Sequence, residues 1–201
     1  MRLAQYEFGG SVGVGYLDND MLVPLSVAGM CPDEAILALA MGETSIVPID
    51  EPIHSSEIRL LAPIARPASI RDFMLFEQHL ANTLRPFGKQ VPANWYAEPS
   101  SYFSCPHTVI GPGACLVPPP STQLDYELEI AVVIGRRLHN PSRDEALEAI
   151  AGFTFFNDFS LRDVQARQAG RVRVPGADLE ASPHNGNLLG GAANSSRQSL
   201  L

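Results

Sequence analysis

Residues 124–136 read LDYELEIAVVIGR, and this stretch decides how the chain folds. From Ile130 to Ile134 every residue is apolar, which is typical of a β-strand buried on both faces. Just before this run, Glu127 and Glu129 are two residues apart, so they point to the same face of the strand. Two carboxylates at the start of a dry strand require protons or a cation. Alternatively, the two glutamates form the wet face of an amphipathic strand.

Composition limits the classes of function. The 201 residues are 45% hydrophobic and 18% charged, which suffices for a core and argues against global disorder. The formal net charge of −8 disfavours nucleic acid as a partner. No apolar run approaches the ~18 residues of a membrane helix, no signal peptide is recognisable, and the three cysteines lack metal or disulfide spacing. We therefore expect a soluble, cytoplasmic protein that binds neither nucleic acid nor membrane.

The chain divides into two folded parts with a Pro-containing link between them. Residues 1–62 alternate short apolar runs with Gly and Asp-Asn turns, which predicts a small β-rich module, and residues 62–69 read as a linker. From Ser69 the sequence predicts a helix whose buried stripe is Phe73, Phe76, Leu80 and Leu84. Later come a capping box that opens a helix at Ser142 and the apolar strand FTFFND, residues 153–158. The predicted fold class is mixed α+β, mainly β.

Carboxylates form the first candidate site. Asp158 ends the FTFFND strand, where it can meet Glu127 and Glu129. Such an all-oxygen set suits a hard divalent cation, Mg²⁺, Ca²⁺ or Mn²⁺. Asp72 and His79 are seven residues apart on one edge of the predicted helix, which would place a metal ligand beside a base able to activate water. In the alternative interpretation, Asp72 only completes a capping box with Ser69 and His79 flanks the core.

Three further polar residues could contact a ligand. Arg162 and Gln165 follow Asp158 on one side of the next turn or helix. The guanidinium fork suits a carboxylate, and the amide can donate to a developing oxyanion. Tyr102 offers a phenol from a Pro-rich loop. Ordinary roles remain open for each: Arg162 could pair with Asp163 at the surface, and Tyr102 could simply pack.

Four motifs in this sequence together resemble those of a known protein family. They are RDFMLFEQH (71–79), NWYAEPSSY (94–102), DYELEIAVVIG (125–135) and NDFSLRDVQ (157–165). In this order and spacing the sequence resembles the fumarylacetoacetate hydrolase family over residues 1–166. The resemblance implies that Mg²⁺ or Ca²⁺ is held by Asp72, Glu127, Glu129 and Asp158. It also implies that His79 is the general base and that Tyr102, Arg162 and Gln165 contact the substrate.

The activity implied by the resemblance is metal-dependent hydrolysis of a carbon–carbon bond in a β-diketo acid, of fumarylacetoacetate or acylpyruvate type. Such enzymes belong to aromatic compound catabolism, and family members are commonly homodimers. A decarboxylase or isomerase on the same scaffold is the second interpretation. A non-catalytic remnant that binds a metal or nothing is the third.

The resemblance ends after Gln165. Residues 167–201 contain no aromatic side chain and reverse the acidic balance of the preceding chain. This composition buries little and leans towards disorder. We therefore interpret residues 167–201 as an aberrant or disordered tail, left by a frameshift or a truncation. Residues 69–166 would then form a partial catalytic domain, in which activity and the family's homodimer are both at risk.

Overall fold

The computed structural model describes residues 1–27, 29–169 and 187–191. Its first five strands form one antiparallel sheet in the spatial order β4-β3-β2-β1-β5. Two tight hairpins build the centre of this sheet, and Gly9 and Gly10 turn the first with φ of +58° and +81°. Positive φ at both central residues matches the right-handed twist of the flanking strands. The strands are β1 Arg2–Phe8, β2 Ser11–Asp18, β3 Met21–Leu25, β4 Ile53–His54 and β5 Arg59–Leu60.

Helix α1, Pro32–Ala40, packs on this sheet and completes the first core. Its Ile36 and Leu39 are buried against Leu3, Val14 and Leu25. The β-rich character predicted for residues 1–62 is confirmed by these elements. The segment that follows is tied to the helix, because the Asp33 carboxylate accepts hydrogen bonds from the backbone N–H groups of Ala65 and Arg66, both at 2.8 Å.

The second part of the chain is built from two smaller sheets. Strands β6 and β7 pair with each other, and β8, β9 and β10 form a three-stranded sheet in the order β10-β9-β8. The strands are β6 Ile70–Phe73, β7 Ser101–Ser104, β8 Leu124–Ile134, β9 Ile150–Leu161 and β10 Asn187–Gly191. The helices are α2 Glu77–Leu84, α3 Arg143–Glu148 and α4 Arg162–Ala169. The fold class is mixed α+β, mainly β, as the sequence predicts.

The helix predicted from Ser69 is wrong over its first half. Residues Ile70–Phe73 form β6, which pairs with Ser101–Ser104, and α2 begins only at Glu77. Pairing with a distant strand overrides the local helical periodicity, and β-branched and aromatic residues fit such a strand well. Only the second half of the predicted stripe is buried: Leu80 and Leu84 are covered, whereas Phe76 is 76% exposed. Asp72 and His79 therefore do not share a helix.

Strand β8 is not buried on both faces, which corrects a second prediction. Its odd-numbered residues from Glu127 to Val133 face inward, and Val133 packs with Ala151 of β9 against the core of the first sheet. The even-numbered apolar residues are exposed. Among the residues that the structure describes, no second layer covers this face of the sheet. Strand β9 is confirmed where FTFFND predicted a strand, although Phe153 is also exposed.

The segment predicted to be an aberrant or disordered tail, residues 167–201, lies largely outside the described residues. Within it the structure describes the end of α4 and the strand β10, which pairs antiparallel with β9. The division of the chain at residues 62 and 69 stays a prediction.

Candidate metal centre

Three carboxylates from three separate segments meet at one point. One oxygen each from Asp72 of β6, Glu129 of β8 and Asp158 of β9 lies within 4.8 Å of the other two. The β8–β9 register explains part of this meeting, because Glu127 is directly opposite Asp158 and Glu129 is two residues further along the same face. Asp72 is added from the neighbouring two-stranded sheet. The structure thus brings together three of the four predicted metal ligands.

Burial makes this cluster costly in its fully ionised form. Asp158 is completely buried, and burial together with the charges of Asp72 and Glu127 raises its pKa to about 7. The pKa of Glu129 is raised to about 9 by burial and then by the charge of Asp72. At neutral pH the cluster therefore retains protons unless a positive charge replaces them. The alternative that Glu129 is simply a solvated surface group does not agree with this position.

The donor set fits a hard divalent cation. Carboxylate oxygens are the ligands that Mg²⁺ and Ca²⁺ prefer. Two oxygens bound to one ion lie at most twice the metal–oxygen distance apart, which is about 5 Å for Ca²⁺ and about 4.2 Å for Mg²⁺. Separations of up to 4.8 Å suit Ca²⁺ without movement, whereas Mg²⁺ requires the widest pair to be closer than that bound. Asp72, Glu129 and Asp158 are the residues that would hold the ion.

Tyr102 spans two members of the cluster. Its side chain lies next to Asp72 across the β6–β7 pair, and its hydroxyl is within hydrogen-bonding distance of Asp72 Oδ2 and 3.0 Å from Asp158 Oδ2. Burial and these two carboxylates raise the pKa of Tyr102, so the phenol stays neutral and remains a donor. The predicted ligand-contacting phenol thus contacts the carboxylates themselves.

Glu127 is adjacent to the cluster but is held by other partners. Its Oε1 lies 2.8 Å from Arg162 Nη1 and accepts a hydrogen bond of 2.9 Å from the hydroxyl of Ser160. Ser160 is fully buried, two residues beyond Asp158 on the same face of β9. Glu127 therefore borders the three-carboxylate group as the acceptor of an ion pair, and its role as a fourth metal ligand stays a prediction.

Arg162 is fixed by three acceptors at the start of α4. In addition to Glu127, its Nε donates to Asp125 Oδ2 at 2.9 Å, and its Nη1 donates to Gln165 Oε1 at 3.1 Å. The hydrogen bond from Arg162 lowers the pKa of Asp125. Asp163 instead accepts from Ser121 and Arg167, so the simple Arg162–Asp163 surface pair is not formed. Arg162 and Gln165 are brought together beside the carboxylates, as their spacing predicts.

The structure does not place the predicted base His79 in the carboxylate cluster. His79 lies on the exposed side of α2, and it does not belong to the group formed by Asp72, Glu129 and Asp158. Its role as a base stays a prediction.

Sequence reasoning missed two residues of this site, Asp125 and Ser160. The signal was present for both: Asp125 shares the odd-numbered face of β8 with Glu127, and Ser160 shares a face of β9 with Asp158.

The convergence of three carboxylates from three strands of an α+β fold agrees with what the resemblance implies for this part of the chain. The model of the Fumarylacetoacetate (FAA) hydrolase C-terminal family matches residues 69–184, beyond Gln165 where the motifs end. The chain belongs to the fumarylacetoacetate hydrolase family.

The human protein "Oxaloacetate tautomerase FAHD2A, mitochondrial" is 32% identical over 127 residues, which cover 62% of this chain and 38% of the human protein. The chain thus matches about two fifths of the length of that relative.

Two solved structures show the same fold. The 2-hydroxyhepta-2,4-diene-1,7-dioate isomerase from Mycobacterium marinum has a TM-score of 0.63 at 18% identity, covering 100% of this chain and 66% of that one. A 2-keto-3-deoxy-D-arabinonate dehydratase complexed with magnesium and 2,5-dioxopentanoate has a TM-score of 0.56 at 21% identity, covering 83% and 58%. At these identities the likeness establishes the fold alone.

Among the described residues, no helix is both long and apolar enough to pass through a membrane.

Proposed function

We propose that this chain binds a divalent cation, Mg²⁺ or Ca²⁺, at Asp72, Glu129 and Asp158 and acts on a small β-diketo or acylpyruvate-type acid. The observation that carries the proposal is the meeting of these three carboxylates from three remote segments. Burial raises the pKa of Glu129 and of Asp158, which favours their protonated forms, so a cation that replaces those protons relieves the cost of ionising them. When bound, the ion would supply a Lewis acid for the carbonyl oxygens of the acid.

Three residues around the cluster would position the carboxylates and bind the substrate. Tyr102 holds Asp72 and Asp158 at a fixed separation through its hydroxyl. Arg162, oriented by Asp125 and Glu127, offers a planar cation to the carboxylate of the substrate. Because the side-chain oxygen of Gln165 accepts from Arg162, the amide nitrogen of Gln165 is the group that would donate to a substrate oxygen.

For the reaction itself, our leading proposal is hydrolysis of a carbon–carbon bond. In that reaction His79 takes a proton from water, and the resulting hydroxide attacks one carbonyl carbon. The bond from that carbon to its neighbour then breaks, its electron pair leaves as the enolate of the second carbonyl, and protonated His79 returns a proton to the departing carbon. This step requires that His79, which lies on α2, comes within hydrogen-bonding distance of the attacking water. A tautomerase or isomerase reaction needs only proton transfer next to a carbonyl. That second candidate is supported by the human relative, which is named as an oxaloacetate tautomerase.

Two measurements on the same sample test the proposal. Calorimetric titration with Mg²⁺ and with Ca²⁺ should show binding that Asp158→Asn removes and that Asp144→Asn, an exposed aspartate on α3, leaves unchanged. Turnover is then measured with acylpyruvates by loss of the diketo chromophore and with oxaloacetate by decay of the enol absorbance. Cleavage of acylpyruvate supports the hydrolase, and enol decay alone supports the tautomerase. Cation binding without either leaves a non-catalytic remnant, and absence of binding overturns the proposal.

Location and assembly stay predictions. We propose the cytoplasm and a homodimer, which the resemblance implies, and aromatic compound catabolism as the setting in which such acids arise.

A further inference from the structure

Ser104 is a buried polar residue that neither the fold nor the proposed reaction explains. It is the last residue of β7 and is only 6% exposed, and no described residue lies within hydrogen-bonding distance of its Oγ. A buried hydroxyl without a partner costs stability, and native proteins contain few such groups. A position that breaks this rule is typical of a residue kept for function rather than for the fold.

The β6–β7 pairing shows which way Ser104 points. Because side chains alternate along a strand, Ser104 shares a face of β7 with Tyr102, whose hydroxyl contacts Asp72 and Asp158. Residues two apart on a strand are about 7 Å from each other, so Ser104 borders the carboxylate centre. Asn157 also has a buried side-chain oxygen without a partner among the described residues, but it alternates with Asp158 and points to the opposite face of β9.

Ser104 and Arg162 lie on opposite sides of the carboxylate centre. In the three-stranded sheet, β8 and β10 flank β9, and β7 lies beside β10. Arg162 binds Glu127 of β8, whereas Ser104 belongs to β7. A substrate whose carboxylate binds Arg162, as in the proposed function, extends past Asp158 towards β7. The end of the substrate that is farthest from Arg162 then lies on the side of Ser104.

We propose that Ser104 is a substrate-binding residue whose hydroxyl donates a hydrogen bond to the carbonyl oxygen at the far end of a β-diketo acid. This inference rests on the proposed function and adds a preference within its substrate class. The site favours an acid that carries an acceptor at that end, such as an acylpyruvate, over pyruvate itself. A site with a buried donor discriminates against ligands that lack the matching acceptor, because the donor then stays unpaired.

A comparison of acetylpyruvate with pyruvate tests the proposal. Pyruvate carries the carboxylate and the first carbonyl of acetylpyruvate but lacks the second carbonyl. Each acid is titrated by calorimetry into the 201-residue chain saturated with Mg²⁺. Ser104→Ala should weaken the binding of acetylpyruvate about three- to tenfold, which is the range for one hydrogen bond, and leave the binding of pyruvate and of Mg²⁺ unchanged. If acetylpyruvate is consumed, the same comparison is made with its KM from initial rates.

Stability measurements separate a binding role from a structural one. Because the Ser104 hydroxyl has no partner in the described part of the chain, Ser104→Ala should not lower the urea unfolding midpoint. Ser104→Thr keeps the hydroxyl on a side chain that suits a strand, and it should recover the binding of acetylpyruvate. The matched control is Ser101→Ala, at an exposed serine on the other face of β7, which should change neither quantity.

Three outcomes overturn the proposal while the proposed function stands. They are unchanged binding of acetylpyruvate in Ser104→Ala, an equal loss of acetylpyruvate and pyruvate binding in that variant, and a lowered unfolding midpoint without a change in the preference between the two acids. The last outcome would assign Ser104 to the fold. If the unsubstituted chain binds neither Mg²⁺ nor either acid, the proposed function fails, and the role of Ser104 fails with it.

Discussion

Glu127 Oε1 lies 2.8 Å from Nη1 of Arg162, and this ion pair holds Glu127 beside the three carboxylates that meet at Asp158. The two glutamates of the ELE motif therefore have different surroundings, although they share one face of one strand. Glu129 lies among other acids, whereas Glu127 has a guanidinium and a hydroxyl as partners. This difference permits predictions that separate their roles.

Glu127→Gln should weaken cation binding less than Glu129→Gln. Glu129 supplies one of the three converging oxygens, whereas Glu127 borders the site, and loss of a bordering partner typically costs about 10–100-fold in metal affinity. The measurement is the dissociation constant of Mg²⁺ and of Ca²⁺ by titration calorimetry. An equal loss for both variants would instead make Glu127 a direct ligand.

Tyr102→Phe should weaken cation binding at neutral pH. The hydroxyl lies within hydrogen-bonding distance of Asp72 and Asp158, and its hydrogen bond with Asp158 lowers the pKa of that carboxyl against the larger effect of burial. Without it Asp158 retains its proton to higher pH, and the cation competes with that proton. The lost hydrogen bond should also destabilise the fold by about 1.5–3 kcal/mol, which urea unfolding measures. Tyr126→Phe, on the exposed face of β8, is the control and should change neither quantity.

Stability without added metal should fall as pH rises from about 5 to 9. The pKa values of Asp158 and Glu129 are raised by folding to about 7 and about 9, so the folded chain binds their protons more tightly than the unfolded chain does. That contribution is complete below the ordinary carboxyl pKa of about 4 and is lost as pH passes through the raised values. Thermal unfolding at a series of pH values checks this. Asp158→Asn should flatten the decline, and a steeper decline in that variant would contradict the assignment.

Excess Mg²⁺ or Ca²⁺ should raise the unfolding midpoint most at alkaline pH. A ligand that binds only the folded state stabilises it by mass action, about 2.7 kcal/mol at one hundred times its dissociation constant. Above pH 7 the cation no longer has to displace the proton of Asp158. A midpoint that does not respond to either ion at pH 8 would exclude an intact centre.

Ile36→Ala should destabilise the whole chain by about 2–5 kcal/mol, because Ile36 is fully buried in the first core. Val133 and Ala151 of the second part pack against the same core, so we expect one unfolding transition rather than two. Urea unfolding followed by fluorescence of Trp95 and by circular dichroism checks this. Val12→Ala, at an exposed position of β2, serves as the control. Two separated transitions would show that the parts divided at residues 62 and 69 fold independently.

Local patterns in the sequence were sufficient for much of the fold. The Gly9-Gly10 hairpin follows from turn chemistry alone, and so does the helix opened by Ser142, whose hydroxyl accepts from the backbone N–H of Glu145. The period of two in ELE was likewise enough to place Glu127 and Glu129 on one face.

Long-range pairing was the part that local patterns did not determine. Residues Ile70–Phe73 have apolar spacing compatible with a helix, and only their partner strand at Ser101–Ser104 makes them β. The prediction that β8 is buried on both faces was wrong for a related reason. A run of apolar residues reports that a face avoids water, but not which layer covers it. The ion pair of Glu127 with Arg162 also required the register between β8 and β9.

Strand β8 carries acidic residues towards the centre and apolar residues away from it, and both sets depend on the same alternation. A single inserted or deleted codon between Glu127 and Ile134 would exchange the two sides for every residue beyond it. Point substitutions can therefore alter either surface alone, whereas an insertion or a deletion within this strand alters both at once. Surveys of sequence change in this protein should find its length in β8 far more constrained than its individual side chains.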